Sequence, residues 1–305
     1  MNKPVLGCEY YILNVFTKER FGGNPLALVV GADHLSDAQM QSIASEFNLS
    51  ETIYLQEPLN KNHTAKVRIF TPTQELPFAG HPTVGAAILL DEMGADLSKS
   101  ENRVVSLEEN VGLVDVEVNR VAGEPTFAKL KAPRLPTEIN DVPSKETIAG
   151  ALNISAQDIG YGLHQPSMFE AGNTPLFVPL KDRATLTKIH ASPTLWAGLG
   201  NAGSFGIYAY CRGPADSDCF HARLFAPEAG VVEDPATGSA VVAFAGAVHK
   251  GLMLENGDYS WTVHQGEDMG RPSKLFLDVS IVNDAIVNVQ VGGFAVRVAR
   301  GILHI

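Results

Sequence analysis

The sequence predicts two like α/β domains, and three observations predict them. A length of 305 residues is a soft prior for two domains of about 150 each. Short runs rich in Val, Ile, Tyr and Phe alternate with a few apolar helical segments along the whole chain. One string is also written twice, as "RIFTPTQELPFAGHPTVGAA" at 68–87 and "RLFAPEAGVVEDPATGSA" at 223–240. Both copies begin Arg, aliphatic, Phe, small residue, Pro, and both end with a Pro-x-x-Gly turn running into alanines. A repeat about half the chain long points to a duplicated domain and not to a solenoid.

Taken in order, "EYYILNVF" (9–16) and "PLALVV" (25–30) read as strands joined by a Gly-containing turn. Ser36 is an N-cap for "DAQMQSIASEF", where Met40, Ile43 and Phe47 recur at helical spacing. "SETIYLQ" (50–56) and "AKVRIFTP" (65–72) return to β pattern, and 82–94 reads as an apolar helix ended by Gly94. "RVVSLEENVGLVDVEVNRV" and "PTFAKLKAP" add short strands. Residues 132–144 carry three prolines and no periodicity, which marks a linker. Beyond it, 144–152, 182–190 and 192–199 are helical pieces, and "FGIYAYC" and "CFHARLFAP" are strands. A helix over 235–249 and the closing strands "KLFLDVSIV", "AIVNVQV" and "FAVRVARGILHI" complete the chain.

Composition narrows the function. The chain is 45% hydrophobic and 19% charged, ample for buried cores. Its net charge is −11 with no basic run, which argues against nucleic acid or an anionic membrane as partner. No run approaches the roughly 20 apolar residues of a membrane span. The N-terminus "MNKPVLGCEYYILNVF" lacks a signal-peptide pattern, so a cytoplasmic location is expected. Cys8, Cys211 and Cys219 are odd in number and lack C-x-x-C spacing. Cys219 and His221 have the chemistry of metal ligands but no matching pair nearby, so no metal site is expected.

The duplicated turn carries the chemistry. A helix start exposes backbone N–H groups with no intrahelical partner, and the dipole adds about half a positive charge there. Such an end cradles an anion. Pro82 and Pro235 suit a first helical turn, with His81 and Asp234 placed before them as corresponding polar residues. Gly80, Thr83 and Gly85 in one copy, and Thr237, Gly238, Ser239 and Ala240 in the other, are then substrate-binding candidates. Each turn taken singly is also an ordinary start for a buried helix, His81 an ordinary core histidine and Asp234 an ordinary N-cap. Occurrence in both halves favours a site.

Read together, "FGGNPLALVV", "SETIYL", "RIFTPTQELPFAGHPTVGAA", "GNTPLFV", "RLFAPEAGVVEDPATGSA" and "GGFAVRVARG" resemble the phenazine-biosynthesis isomerase (PhzF-like) family, within the diaminopimelate-epimerase-like superfamily. The resemblance spans nearly the whole chain. It implies an α/β (α+β) fold of two pseudo-symmetric domains, each a β-barrel-like sheet around a central helix. The domains would be 1–131 with about 288–305, and 145–287, with 132–144 between them and the active site in the cleft. It also implies a catalytic glutamate in "SET", Glu51, in one pocket with His81, Asp234 and Ser239. Periodicity alone reads Glu51 as a surface residue of a strand.

The implied reaction is a cofactor-independent proton shift on a small carboxylic acid such as trans-2,3-dihydro-3-hydroxyanthranilate. Glu51 acts as base and then acid, and Tyr54 and Phe78 are candidate pocket walls. The family's usual homodimer is implied as well. Superfamily epimerases place a cysteine at each helix start, and neither "GHPTVGAA" nor "DPATGSA" contains one. Two other readings stay open: an epimerase or racemase with His81 or Asp234 as second base, and a non-catalytic metabolite-binding protein. Loops 161–172 and 201–206 are expected to shape the pocket.

Overall fold

The computed structural model describes residues 7–203, 205–214 and 217–305. The start of the N-terminal string and Ser204 of the 201–206 loop lie outside the described residues. The chain divides into two compact units, residues up to Pro133 with Gly292–Ile305, and Arg134–Val291.

In the first unit, β1 (Gly7–Val15) pairs antiparallel with β2 (Asn24–Val30), which runs parallel to β3 (Glu51–Gln56). Next come β4 (Ala65–Phe70), antiparallel to β3, and β6 (Glu101–Glu109), parallel to β4. The antiparallel strands β7 (Gly112–Arg120) and β8 (Phe127–Lys131) follow. The last strand of the chain, β17 (Ala285–His304), bonds both β8 and β1, and the sheet closes into a ring. Short β5 (Glu75–Leu76) branches from β4 and leads into α2 (Gly80–Gly94). Helix α2 packs on β1, β2, β3, β6, β7 and β8, so it fills the barrel. A helix apolar on all sides needs that surround, and every residue from Gly80 to Leu89 is buried. Each fully buried Val, Leu or Ile there contributes roughly 1.5–3 kcal/mol.

The second unit repeats the scheme. Strands β9 (Thr137–Ile139), β10 (Ser167–Glu170) and β11 (Leu176–Pro179) are antiparallel neighbours. β11 runs parallel to β12 (Ile207–Arg212), and β12 is antiparallel to β13 (Cys219–Ala226). β13 is parallel to β15 (Gly257–Gln265), which pairs antiparallel with β16 (Ser273–Val282). β14 (Val231–Asp234) branches from β13 as β5 does from β4, and leads into the buried helix α6 (Gly238–Leu252). Phe244 of α6 meets Phe177, Tyr208, Tyr210 and Phe220 at ring distances of 4.7–5.7 Å. The outer faces are covered alike. α1 (Asp37–Phe47) covers Val29, Tyr54 and Phe70 in the first unit. α3 (Lys145–Leu152) and α5 (Pro193–Trp196) cover Leu176, Ile207 and Ala209 in the second. α4 (Arg183–Thr187) lies between β11 and β12 in sequence.

Ser36 caps α1 as expected, in a full capping box with Gln39. Four expectations change. Part of the linker at 132–144 is strand β9, paired to β10 in the second unit. The two central helices begin at Gly80 and Gly238 instead of 82 and 235. The last two expected strands are one continuous strand, because Gly292, Gly293 and Gly301 stay extended within β17. Strand β15 was not anticipated, although Trp261 and Val263 alternate with polar neighbours.

Candidate active site

Each helix start is anchored by the same brace. Arg68 on β4 donates from Nε and Nη2 to Glu75 on β5, at 2.7 and 2.6 Å. Arg223 on β13 donates from the same two atoms to Glu233 on β14, both at 2.8 Å. Each guanidinium lies over the next inner-copy aromatic, Phe70 at 5.2 Å and Phe225 at 4.7 Å. A bidentate fork fixes distance and angle together, so it sets where the following turn begins. From Glu75 to Gly80 and from Glu233 to Gly238 the spacing is equal.

That frame corrects the correspondence read from the two Pro-x-x-Gly strings. Counted from the braces, His81 matches Ser239, Pro77 matches Pro235, and Asp234 matches Leu76. Pro82 lies inside the first turn of α2, whereas Pro235 precedes α6. Asp234 is the last residue of β14 and not the N-cap, which is Thr237.

At the first helix start, His81 Nδ1 lies 3.2 Å from Glu51 Oε2. Strand β3 supplies Glu51 at its first residue and α2 supplies His81 at its second. His81 is fully enclosed, and burial drives its imidazole down to about 3, against the hydrogen bond to the Pro25 backbone. The ring is therefore neutral at working pH, and the close contact with Glu51 is not a fixed ion pair. His81 Nε2 is buried without a hydrogen-bond partner among the described residues. Neither helix has a side-chain cap or an acidic residue in its first turn, so no capping side chain occupies the first-turn amides at Gly80 and His81 or at Gly238, Ser239 and Ala240.

At the second helix start, Asp234 is 7% exposed and accepts from the Thr237 hydroxyl. Gln265, the last residue of β15, donates from Nε2 to the Asp234 carbonyl at 2.8 Å and to Thr237 Oγ1 at 3.1 Å. Its Oε1 accepts from the Thr237 amide at 3.3 Å. Thr237 is thus held by Gln265 and Asp234. Ser239 is half-buried in the first turn of α6.

Two expected site residues have other work. Gly85 lies where a Cβ would fall 2.5 Å from Leu26 Cδ2, so it serves helix-to-strand packing and not ligand approach. Tyr54 is sealed under α1 with its hydroxyl on the Met40 carbonyl, so it is not a pocket wall. Phe78 is half-buried just before α2.

The second unit has no counterpart to Glu51. Tyr54 pairs with Arg68, and Ala209 pairs with Arg223, so three residues upstream Glu51 matches Gly206. Tyr54 and Ala209 both face the outer helices, so the match preserves inward and outward sides. Gly206 has φ 119°, and a Cβ there would meet the Phe225 carbonyl at 2.3 Å. A carboxylate cannot be placed on that backbone.

Comparison with known proteins sets this geometry in a family. The model of the phenazine biosynthesis-like proteins (PhzC-PhzF) matches residues 13–301. The chain belongs to that family. An uncharacterized isomerase of Mesorhizobium japonicum is 37% identical, over 97% of this chain and 99% of the relative. The trans-2,3-dihydro-3-hydroxyanthranilate isomerase of Pseudomonas fluorescens is 33% identical, over 96% and 98% of the two chains. The PhzF-family phenazine biosynthesis protein of Bacillus anthracis shares the fold, with a TM-score of 0.87 at 23% identity over 98% and 100% of the chains. This phenazine biosynthesis-like protein is thus an enzyme of the isomerase class, built on the two-domain epimerase-like fold. No helix among the described residues is long and apolar enough to cross a membrane.

Proposed function

We propose that this protein moves a proton on a small cyclic or amino carboxylic acid, of the type of trans-2,3-dihydro-3-hydroxyanthranilate, without a cofactor. The observation that carries the reading is the approach of Glu51 to the neutral His81 at an uncapped helix start. The Glu51 carboxylate removes a proton from an allylic carbon, the electron pair delocalises into the conjugated acid, and the protonated Glu51 returns a proton to another carbon. Hydrogens and electrons balance, and the double bond moves. The first-turn amides at Gly80 and His81, and at Gly238, Ser239 and Ala240, serve the substrate carboxylate and the delocalised charge. A neutral imidazole holds one donor and one acceptor, which suits His81 to the substrate's amino or hydroxyl group. Asp234 and Ser239 serve the same substrate in this reading. A homodimer belongs to the same reading and is checked by sedimentation.

The test is turnover of trans-2,3-dihydro-3-hydroxyanthranilate and related acids, followed by ultraviolet absorbance and by mass in D₂O. Glu51→Gln should lose about 10²–10⁴-fold in turnover with KM little changed. If Glu51→Gln isomerises as fast as the parent, the assignment of the base fails. An epimerase using His81 as second base would incorporate label with no change in absorbance.

A further inference from the structure

We infer that Glu109 is a protonated carboxylic acid in the folded protein, and that through Thr83 it positions the first turn of α2 and with it His81. The positioning role rests on the reading of His81 as a site residue; the protonation does not.

Glu109 is the last residue of β6 and is 8% exposed. Its Oε1 lies 2.6 Å from Thr83 Oγ1, and Thr83 Oγ1 lies 2.8 Å from the Ala79 carbonyl. A hydroxyl carries one hydrogen, and a carbonyl can only accept. That one hydrogen cannot serve the Ala79 carbonyl and a carboxylate together, so both contacts are satisfied at once only when the carboxyl group supplies a hydrogen of its own. The chain then runs from Glu109 O–H to Thr83 O–H to Ala79 C=O. Ala79 is the N-cap of α2, two residues before His81. Glu109 Oε2 is buried without a hydrogen-bond partner among the described residues, a tolerable state for an acid's C=O and a costly one for a carboxylate.

The surroundings offer little to keep a charge. On β6 itself, Glu108 is bound to His63 and to the Leu59 and Asn60 amides. On β5, Glu75 is taken by Arg68 and by Asn110 of the β6–β7 turn. On α2, the ionisable group of the first turn is His81, which is neutral. The α2 dipole favours an anion, and so would a bond donated by Thr83. Burial outweighs both and raises the Glu109 carboxyl to about 8.

The duplicated unit supplies an independent argument. Ala65 of β4 pairs with Leu107 of β6, and Phe220 of β13 pairs with Val263 of β15. Counting from the matched Arg68 and Arg223, Ala65 corresponds to Phe220, and Glu109 therefore to Gln265. Gln265 is a neutral amide that donates to the turn before α6, at 2.8 and 3.1 Å. The fold asks for a donor at this place in both copies. A carboxylate has none; a carboxylic acid has one.

Isotope-edited infrared spectroscopy of the full chain, with labelled glutamate, reads the acid directly. At pH 6 to 7 a buried protonated C=O band should be present. It should vanish in Glu109→Gln and, in the parent, disappear reversibly as pH rises past about 8. If Glu109→Gln does not fold, Glu109→Asp assigns the band by removing it from the glutamate-edited spectrum. Across the same titration the His81 ring resonances should move in the parent and stand still in Glu109→Gln. Absence of the band overturns the proposal, and so does a band whose loss leaves His81 unmoved. Neither readout needs substrate, so both hold whether or not the isomerase reading survives.

Discussion

The two helix starts are built on one plan and differ where chemistry would act. Both keep an arginine fork on a strand-borne glutamate, a parallel strand pair, an uncapped buried helix and a neutral polar residue at the following strand end. They differ at the base, Glu51 against Gly206, and at the second helical residue, His81 against Ser239. Duplication preserved what fixes backbone amides in space, since an anion cradle depends on backbone geometry alone. What diverged are the side chains to which the proposed reaction assigns the proton. In the proposed reaction a single proton shift calls for a single base.

The braces give the largest stability contrast. Arg223 is more deeply enclosed than Arg68 and also donates to the carbonyls of Leu186 and Ile189, at 2.9 and 3.2 Å. Arg223→Ala should cost roughly 3–5 kcal/mol by leaving Glu233 and those carbonyls unpaired. Arg68→Ala, next to the exposed Asp37 and with Asn110 still on Glu75, should cost roughly 1–2 kcal/mol. Urea midpoints of the two variants check the order; equal losses would break the asymmetry.

Substitutions at the Glu51 and Gly206 positions should separate activity from stability. Gly206→Ala should cost roughly 1–3 kcal/mol or more from its backbone angle and the Phe225 clash. Glu51→Ala should remain as stable as the parent within about 1 kcal/mol while losing turnover. Thermal melts beside rate measurements read both.

Glu109 and Gln265 should differ in their response to pH. The Glu109 carboxyl sits at about 8 in the fold and near the ordinary value unfolded. The folded state therefore binds the extra proton, and stability falls as pH rises from about 4.5 to 8, by at most ~1.4 kcal/mol per unit. Glu109→Gln should flatten that slope, and Gln265→Glu should introduce one in the second unit. The smallest effect is spectroscopic: the His81 ring should show no protonation of its own between pH 8 and about 5, because burial holds it down to about 3.

Much of this plan was legible in the sequence. The repeated Arg-x-Phe and the apolar helices announce the duplication, and Ser36 announces α1. The registration was not, because Pro-x-x-Gly occurs in both strings while proline is tolerated either inside a first turn or just before it. Only the arginine forks, which pair residues 7 and 10 apart, fix which copies correspond. Glu109 escaped notice as one more strand glutamate, although Val105, Leu107 and Glu109 share the buried face of β6 by alternation. Gly206 carried no signal at all, since its role is to be the place where a side chain cannot stand.

That glycine also limits what descendants of this protein can become. Any residue with a side chain at 206 must first move the Phe225 carbonyl, which belongs to the β13 ladder next to the Arg223 fork. A corresponding carboxylate therefore needs a backbone rearrangement as well as a codon change. A second carboxylate at 206 would have to come with a rebuilt turn before β12 and a shifted β13 edge.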